Sequence, residues 1–295
     1  MDKSYVIITP AYNEEAYIQY TLESVVKQTL LPDQWIIVDD GSTDKTTEII
    51  AGYMSTFPWI KLVKNSTVGN KPEGGSKIVR AFYFGFNSLD VKKYDFIVKL
   101  DADLTLPEMY FEEVANAFSN DSAVGMCGGF LTEFSAGKWK KASSAKYHLR
   151  GAIKAYRNRC FDEIGGIPFS LIWDGIDEMK AMSLGWKVKI LDLEVKHHRK
   201  RSTIINKGLR SSYSAGKQYY KHGYDVFLAF CRSLTYGMRT KPYFITTVGF
   251  LAGYFSDWWQ KSPKAVTPEL QTFIRNYQYN RIKNYFLMRG KSEDQ

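Results

Sequence analysis

Phe96-Ile97-Val98-Lys99-Leu100-Asp101-Ala102-Asp103 decides how this chain is read. A short, nearly continuous apolar run ends on two carboxylates with one residue between them. Such a run marks a strand covered on both faces, as in parallel sheets. Paired carboxylates at its end suit a hard cation, because Mg2+ is held by one or two carboxylates together with substrate phosphates. In isolation, aspartates after a strand are ordinary turn residues. A second acidic strand end changes the weighing: Trp35-Ile36-Ile37-Val38 runs into Asp39-Asp40-Gly41-Ser42, about sixty residues upstream. Ligands in open α/β sheets bind beyond the carboxyl ends of the strands. Two acidic strand ends in one half of the chain therefore point to one shared site.

Outward from these segments the pattern alternates. Tyr5-Val6-Ile7-Ile8-Thr9 reads as a strand closed by Pro10, and Glu14 to Gln28 carries a helical period with Ile18, Leu22, Val25 and Val26 on one face. Ser42, Thr43 and Asp44 offer N-caps for a helix through Met54. A strand at Ile60–Val63, a Gly/Lys-rich loop from Gly69 to Lys77, a helix over 78–89, the strand 96–100 and a helix over 107–118 follow. Further strands are expected at 123–131 and 187–191. This order predicts an α/β fold: a mostly parallel sheet with helices on both faces. A boundary is expected near Lys200-Arg201-Ser202-Thr203. Beyond it the reading is helical, over 208–222, 226–236, 243–259 and 268–288, with a frayed tail at 291–295.

Charge separates the same two regions. Residues 1–195 carry 22 Lys/Arg against 26 Asp/Glu, whereas residues 196–295 carry 18 against 5. So basic a C-terminal region predicts an anionic surface as partner. It contains no nucleic-acid motif, and the aromatic, apolar stretch 243–259 suits an anionic membrane better, either lying in the interface or serving as a core helix. That stretch is shorter than the roughly 20 apolar residues of a spanning helix. Met1-Asp2-Lys3-Ser4 shows no signal-peptide pattern, and three widely spaced cysteines, Cys127, Cys160 and Cys231, fit neither a disulfide framework nor a zinc site. The expected location is cytoplasmic, peripheral at the inner face of the membrane.

Thr9-Pro10-Ala11-Tyr12-Asn13-Glu14-Glu15, Val38-Asp39-Asp40-Gly41-Ser42-Thr43-Asp44 and Asp101-Ala102-Asp103, in this order and spacing, resemble the nucleotide-sugar half of a family 2 glycosyltransferase. The resemblance covers about residues 4–198. It implies a GT-A fold over residues 1–200, with a nucleotide-sugar half to about 105 and an acceptor half over 106–200, followed by the basic helical region 201–295. It also implies inverting transfer from a nucleoside-diphosphate sugar, of UDP or GDP type, to a glycan or lipid-linked acceptor in polysaccharide biosynthesis, and a divalent cation, Mg2+ or Mn2+. Carried onto this chain, Pro10, Ala11, Tyr12, Asn13 and Glu14 line the nucleotide pocket, with Asn13 and Glu14 opening a helix. Asp39 and Asp40 meet the nucleotide, one accepting from the base, as an ionised carboxylate only accepts. Lys77 or Arg80 reaches the diphosphate, although aromatic Phe82 and Tyr83 depart from the family pattern there. Asp101, Ala102 and Asp103 form the donor and metal end of the strand, with Asp103 the closer metal contact, and His198 completes the coordination. Adjacent residues of an extended segment point to opposite sides, so only one of His197 and His198 is expected to be a ligand.

The resemblance also implies a catalytic carboxylate about eleven residues before a glycine. Counting back from Gly185 gives Asp174, preceded by Trp173 where the family has glutamate; Asp177, followed by Glu178, is the rival. Helix-start carboxylates favoured by the macrodipole explain Asp177 and Glu178 better than Asp174. Gly165-Gly166 resembles the acceptor-side loop, and Trp173 is either a sugar platform or core. Two other readings stand beside this one. A nucleotidyltransferase on a similar sheet needs a glycine-rich triphosphate loop, which 10–14 is not. A non-catalytic protein binding nucleotide or an anionic surface would need no base.

Overall fold

The computed structural model describes residues 3–65, 76–90, 93–142, 148–170, 172–199, 208–239 and 243–290. Most of the predicted Gly/Lys-rich loop, the expected boundary segment from Lys200 to Thr203 and the tail 291–295 lie outside the described residues. The chain divides into two compact units, Met1–Lys200 and Arg201–Gln295.

The first unit is built on one nine-stranded sheet. β1 (Tyr5–Ala11) lies between β2 (Gln34–Asp39) and β4 (Phe96–Leu100), and β3 (Ile60–Lys64) pairs with β2; all three pairings are parallel. The expected parallel arrangement holds this far. Beyond β4 the sheet is mixed. β8 (Ile153–Arg157) runs antiparallel between β4 and β6 (Val124–Ser135), and β9 (Lys187–His197) returns parallel to β6. Two-residue β5 (Leu104–Thr105) pairs with the end of β9, and β7 (Lys138–Lys141) forms a hairpin with β6. Sequence pattern missed β5, β7 and β8. β5 is too short for a period, and the apolar positions of β8 are interrupted by Lys154 and Arg157, both buried.

Helices cover both faces, as expected. Alternate residues of a strand face opposite sides. Tyr5 and Ile7 of β1 join Trp35, Ile37, Phe96 and Val98 in one core, against α1 (Ile18–Val26), α2 (Thr46–Met54) and α4 (Tyr110–Asn120). Val6 and Ile8 join Ile36, Val38 and Ile97 in the other, against α3 (Ser76–Phe86), α5 (Asn158–Glu163) and α6 (Trp173–Ser183). One helix start differs from expectation. α1 begins at Ile18 rather than Glu14, because Asn13 takes a left-handed φ of 51° and the N–H groups of Asn13, Glu14 and Glu15 donate to Ser42, Thr46 and Asp44 side chains. Those donors are spent on a neighbouring loop, so Ser42 acts as a bridge between loops rather than as a cap for α2.

The second unit is helical: α7 (Gly208–Lys221), α8 (Val226–Arg239), α9 (Ile245–Trp259) and α10 (Pro268–Gly290). α7 and α9 pack backbone to backbone: a Cβ on Gly216 would collide with the Phe250 carbonyl oxygen. Phe250 and Tyr254 are buried with Tyr219, Tyr220 and Ala229, and Asp257 is buried beside Lys217 and Lys221. Of the two readings held open for 243–259, the middle of the stretch is therefore a core helix. No helix among the described residues is long and apolar enough to cross a membrane.

Candidate active site

The two acidic strand ends converge. β1 and β2 pair Ala11 with Asp39, and the Asp40 N–H donates to the Ala11 carbonyl at 2.9 Å. Asp39 is buried and accepts from the Ser42 N–H at 3.0 Å, which closes the turn, while Asp40 accepts from Asn65 at 2.8 Å. Asn13 receives the Thr43 N–H at 2.8 Å. Pro10, Ala11, Tyr12, Asn13 and Glu14 thus lie beside Asp39 and Asp40 at the carboxyl edge of the sheet, and Tyr12 presents an exposed ring there. Lys77 and Arg80 occupy exposed positions of α3, whose Val79 and Phe82 face the core. Among the described residues neither is hydrogen-bonded or ion-paired to the carboxylates.

Asp101, Ala102 and Asp103 sit one strand away. Asp101 is paired with Lys99, whose side chain is buried within β4 and also donates to the Gly151 carbonyl at 2.6 Å. Burial raises the Asp101 carboxyl above its ordinary range, with Lys99 opposing and Asp103 adding to the rise. Asp103, with only 7% of its side chain exposed, receives His197 Nε2 at 3.2 Å and Arg199 Nε at 3.3 Å on the same oxygen, Oδ2. Burial works against ionisation there, but His197 and then Arg199 outweigh it and hold the Asp103 carboxyl low. Arg199 also pairs with Glu14, whose carboxyl burial pushes up to about 7. The 10–14 segment and the Asp103 end are thereby tied by one guanidinium. The other oxygen of Asp103, Oδ1, and Nδ1 of His197 are buried with no hydrogen-bond partner among the described residues.

Of the two histidines, the ring beside Asp103 is that of His197, not that of His198. His197 is in register with Leu104 on β9, and an extended chain turns the next side chain away. His198 stacks on Tyr20 at 4.1 Å between ring centres and shares a 2.7 Å hydrogen bond with Thr105; only its backbone N–H reaches Asp103, at the carbonyl.

β8 and α6 contribute a second charged group. Lys154 of β8 is wholly buried and donates to both oxygens of Asp177 at 2.9 Å and to Glu178 at 3.0 Å; Tyr156 adds 2.6 Å to Asp177. Asp177 has no exposed edge. Both of its oxygens are engaged by Lys154 and Tyr156. Asp174 lies one turn earlier on α6 with 38% of its side chain exposed, 3.6 Å from His148 Nε2. Burial would raise its carboxyl, but His148 and Lys154 outweigh that and hold it below the usual range. His148 also meets Glu178 at 3.0 Å; burial would lower its pKa, and the two carboxylates instead lift it to about 9. Trp173 is buried, 5.4 Å from both Lys99 and Lys154, so it is core rather than an open platform. Gly151 allows this approach: a Cβ there would lie 2.8 Å from the Trp173 ring and 3.0 Å from Asp174 Cβ. The residue whose carbonyl holds Lys99 is thus the one against which Asp174 packs. Gly165 and Gly166 both take left-handed φ angles ahead of this helix.

The family model for glycosyl transferase family 2 matches residues 6–173. The chain belongs to that family. Chondroitin synthase of Escherichia coli is 26% identical over 253 residues, which cover 78% of this chain and 36% of the synthase. The chain also spans 58% of an uncharacterized glycosyltransferase of Mycoplasma genitalium. Among solved structures, Staphylococcus aureus TarS residues 1–349 in complex with UDP-GlcNAc superimposes with a TM-score of 0.54 at 16% identity, over 87% of this chain and 73% of that one. A Pyrobaculum calidifontis mannosyltransferase in complex with GDP-Man and Mn2+ gives 0.52 at 16%, over 96% and 82%. These likenesses establish the GT-A type fold for this family 2 chain.

Sequence pattern singled out the three strand-end segments, and the resemblance Asp174 and the His197–His198 pair, but neither singled out Lys99, Lys154, His148 or Arg199, which lie around these carboxylates. A lysine inside an apolar strand run was the available signal for Lys99, since a buried charge requires a partner. Among the described residues no group of three His, Cys, Asp or Glu side chains converges as a ready-made metal centre. The Asp103 Oδ1, buried with no hydrogen-bond partner among the described residues, nevertheless fits a cation whose other ligands are phosphate oxygens.

Proposed function

We propose that this family 2 chain is an inverting glycosyltransferase that moves a sugar from a nucleoside-diphosphate sugar to a hydroxyl of a glycan or lipid-linked acceptor, in polysaccharide synthesis at the inner face of a membrane. The observation that carries the reading is the buried Asp103 Oδ1, which has no hydrogen-bond partner among the described residues, in the carboxylate group that Arg199 ties to Glu14. UDP-GlcNAc and GDP-Man in the related structures support a nucleotide-sugar donor, and Mn2+ in one of them supports a divalent cation.

In this reading the donor nucleotide lies along Pro10–Glu14, Asp39 and Asp40, with its diphosphate toward Asp101 and Asp103. Asp103 would hold the cation, with His197 or Asp101 assisting. When bound, the ion supplies Lewis-acid neutralisation of charge on the departing diphosphate. His197 and Arg199 concentrate positive charge at the same place. Asp174 is the base. It is ionised at neutral pH, partly exposed, and oriented by His148. It accepts the acceptor hydroxyl proton as the oxygen bonds to the anomeric carbon from the side opposite the diphosphate. The bond to the phosphate oxygen breaks with its electron pair going to the nucleoside diphosphate, so one displacement inverts the anomeric configuration. General-base catalysis of this kind contributes about 10²–10⁴ in rate.

The test is a release assay for UDP and GDP across a panel of UDP- and GDP-sugars, with and without Mn2+. Turnover that depends on the metal and is lost in Asp103→Asn, with folding intact, supports the reading. Unchanged turnover in chelator, or a full-rate Asp103→Asn variant, would overturn it.

A further inference from the structure

The helical unit exposes an apolar surface that its own core does not need. Val226, Phe230, Leu234 and Met238 recur every four residues along α8 and are 46%, 49%, 39% and 59% exposed. A spacing of four keeps side chains on one helix face. At the far end of α8, the Phe244 N–H donates to the Gly237 carbonyl at 3.3 Å, which brings the start of α9 against the end of that stripe. There Phe244 and Val248 are each 66% exposed. Phe244 also holds a left-handed φ of 64°, an uncommon conformation for an aromatic residue, at the corner itself. The buried side of the same helices is complete, with Ala229 and Phe250 fully enclosed.

Charge names the occupant. From Val226 to Ser256 the sequence holds no acidic residue and three basic ones, Arg232, Arg239 and Lys241. The unit as a whole carries 15 Lys/Arg against 5 Asp/Glu. One of those five, Asp257, is buried between Lys217 and Lys221. A soluble partner with an acidic rim would be matched by charge alone. An exposed stripe of large apolar side chains on a cationic unit, in helices too short to span, is the arrangement of an element lying in the interface of an anionic bilayer.

We infer that the α8 face and the α8–α9 corner insert into anionic lipid and hold the chain on a membrane surface. This extends the lipid-linked-acceptor part of the proposed function, but it is read by binding rather than by turnover, so the two can fail separately. The experiment is flotation of the full chain with vesicles of phosphatidylcholine alone and of phosphatidylcholine with phosphatidylglycerol, at low and high salt. Binding to the anionic vesicles should exceed binding to neutral ones by about tenfold and weaken with salt. Phe230→Ser and Val248→Ser should each weaken it severalfold. Circular dichroism and light scattering on the free variants check that they remain folded and keep the same mass. Equal binding to both vesicle types, or binding indifferent to these substitutions, overturns the inference. So does a concentration-dependent dimer that the substitutions dissociate, because the face would then belong to a second copy.

Discussion

Two carboxylate groups of the first unit differ in what their oxygens are doing. On α6, Asp177 has both oxygens engaged by Lys154 and Tyr156, and Glu178 is shared by Lys154 and His148. Just beyond β4, Asp103 crowds two cations onto one oxygen, and its other oxygen is buried without a hydrogen-bond partner among the described residues. A buried carboxylate with both oxygens engaged is accounted for by the fold, whereas an open buried acceptor calls for an explanation of its own. Residue type does not separate them, since both are acidic residues near the end of a strand or the start of a helix.

The largest expected effect tests the filled side. Asp177→Ala strands Lys154 in the core, and breaking a buried pair costs roughly 3–5 kcal/mol, so denaturant unfolding should show that loss, with activity falling only as the folded fraction falls. If the variant is as stable as the parent, the contrast fails. Asp174→Asn should unfold like the parent and still bind donor, yet transfer about 10²–10⁴ times more slowly; a normal transfer rate would return the base role to another residue. Asp103→Asn should lower donor turnover by about 10² while costing less than about 1.5 kcal/mol in unfolding, and isothermal titration should find weakened Mn2+ uptake in the presence of nucleoside diphosphate. The smallest effect concerns His148. Its folded pKa, lifted to about 9 from an unfolded value near 6.5, means that its stabilisation is complete below about pH 6.5 and is lost as pH rises through about 9. A parent that loses roughly 2 kcal/mol across that window, where His148→Gln stays flat, would sharpen the comparison. Parallel profiles would remove His148 from the Asp174 group.

The legible part of the site was the part written in local segments. Pro10 to Glu14, Asp39-Asp40 and Asp101-Ala102-Asp103 each follow an apolar strand, and a parallel sheet brings strand ends to one edge whatever the loop lengths. Asp174 was singled out through the resemblance alone, by its spacing to Gly185. His197 was not chosen over His198, because the last residues of β9 give no period to show which ring turns toward Asp103. β8 was illegible for a related reason: Lys154 and Arg157 break the apolar pattern, and their acceptors on α6 and around α4 lie twenty to forty residues away in the chain.

Alone, the sequence determined the alternating elements, the two acidic strand ends, the charge division between the units and the helical character of the second. These follow from side-chain period, chain stiffness and composition, which act over a few residues. Tertiary structure decided which carboxylates are satisfied, which histidine meets Asp103, and which side of the 226–259 segment faces outward. Each depends on partners distant in sequence, because desolvation and hydrogen-bond satisfaction are properties of the assembled surroundings of an atom and not of its neighbours along the chain.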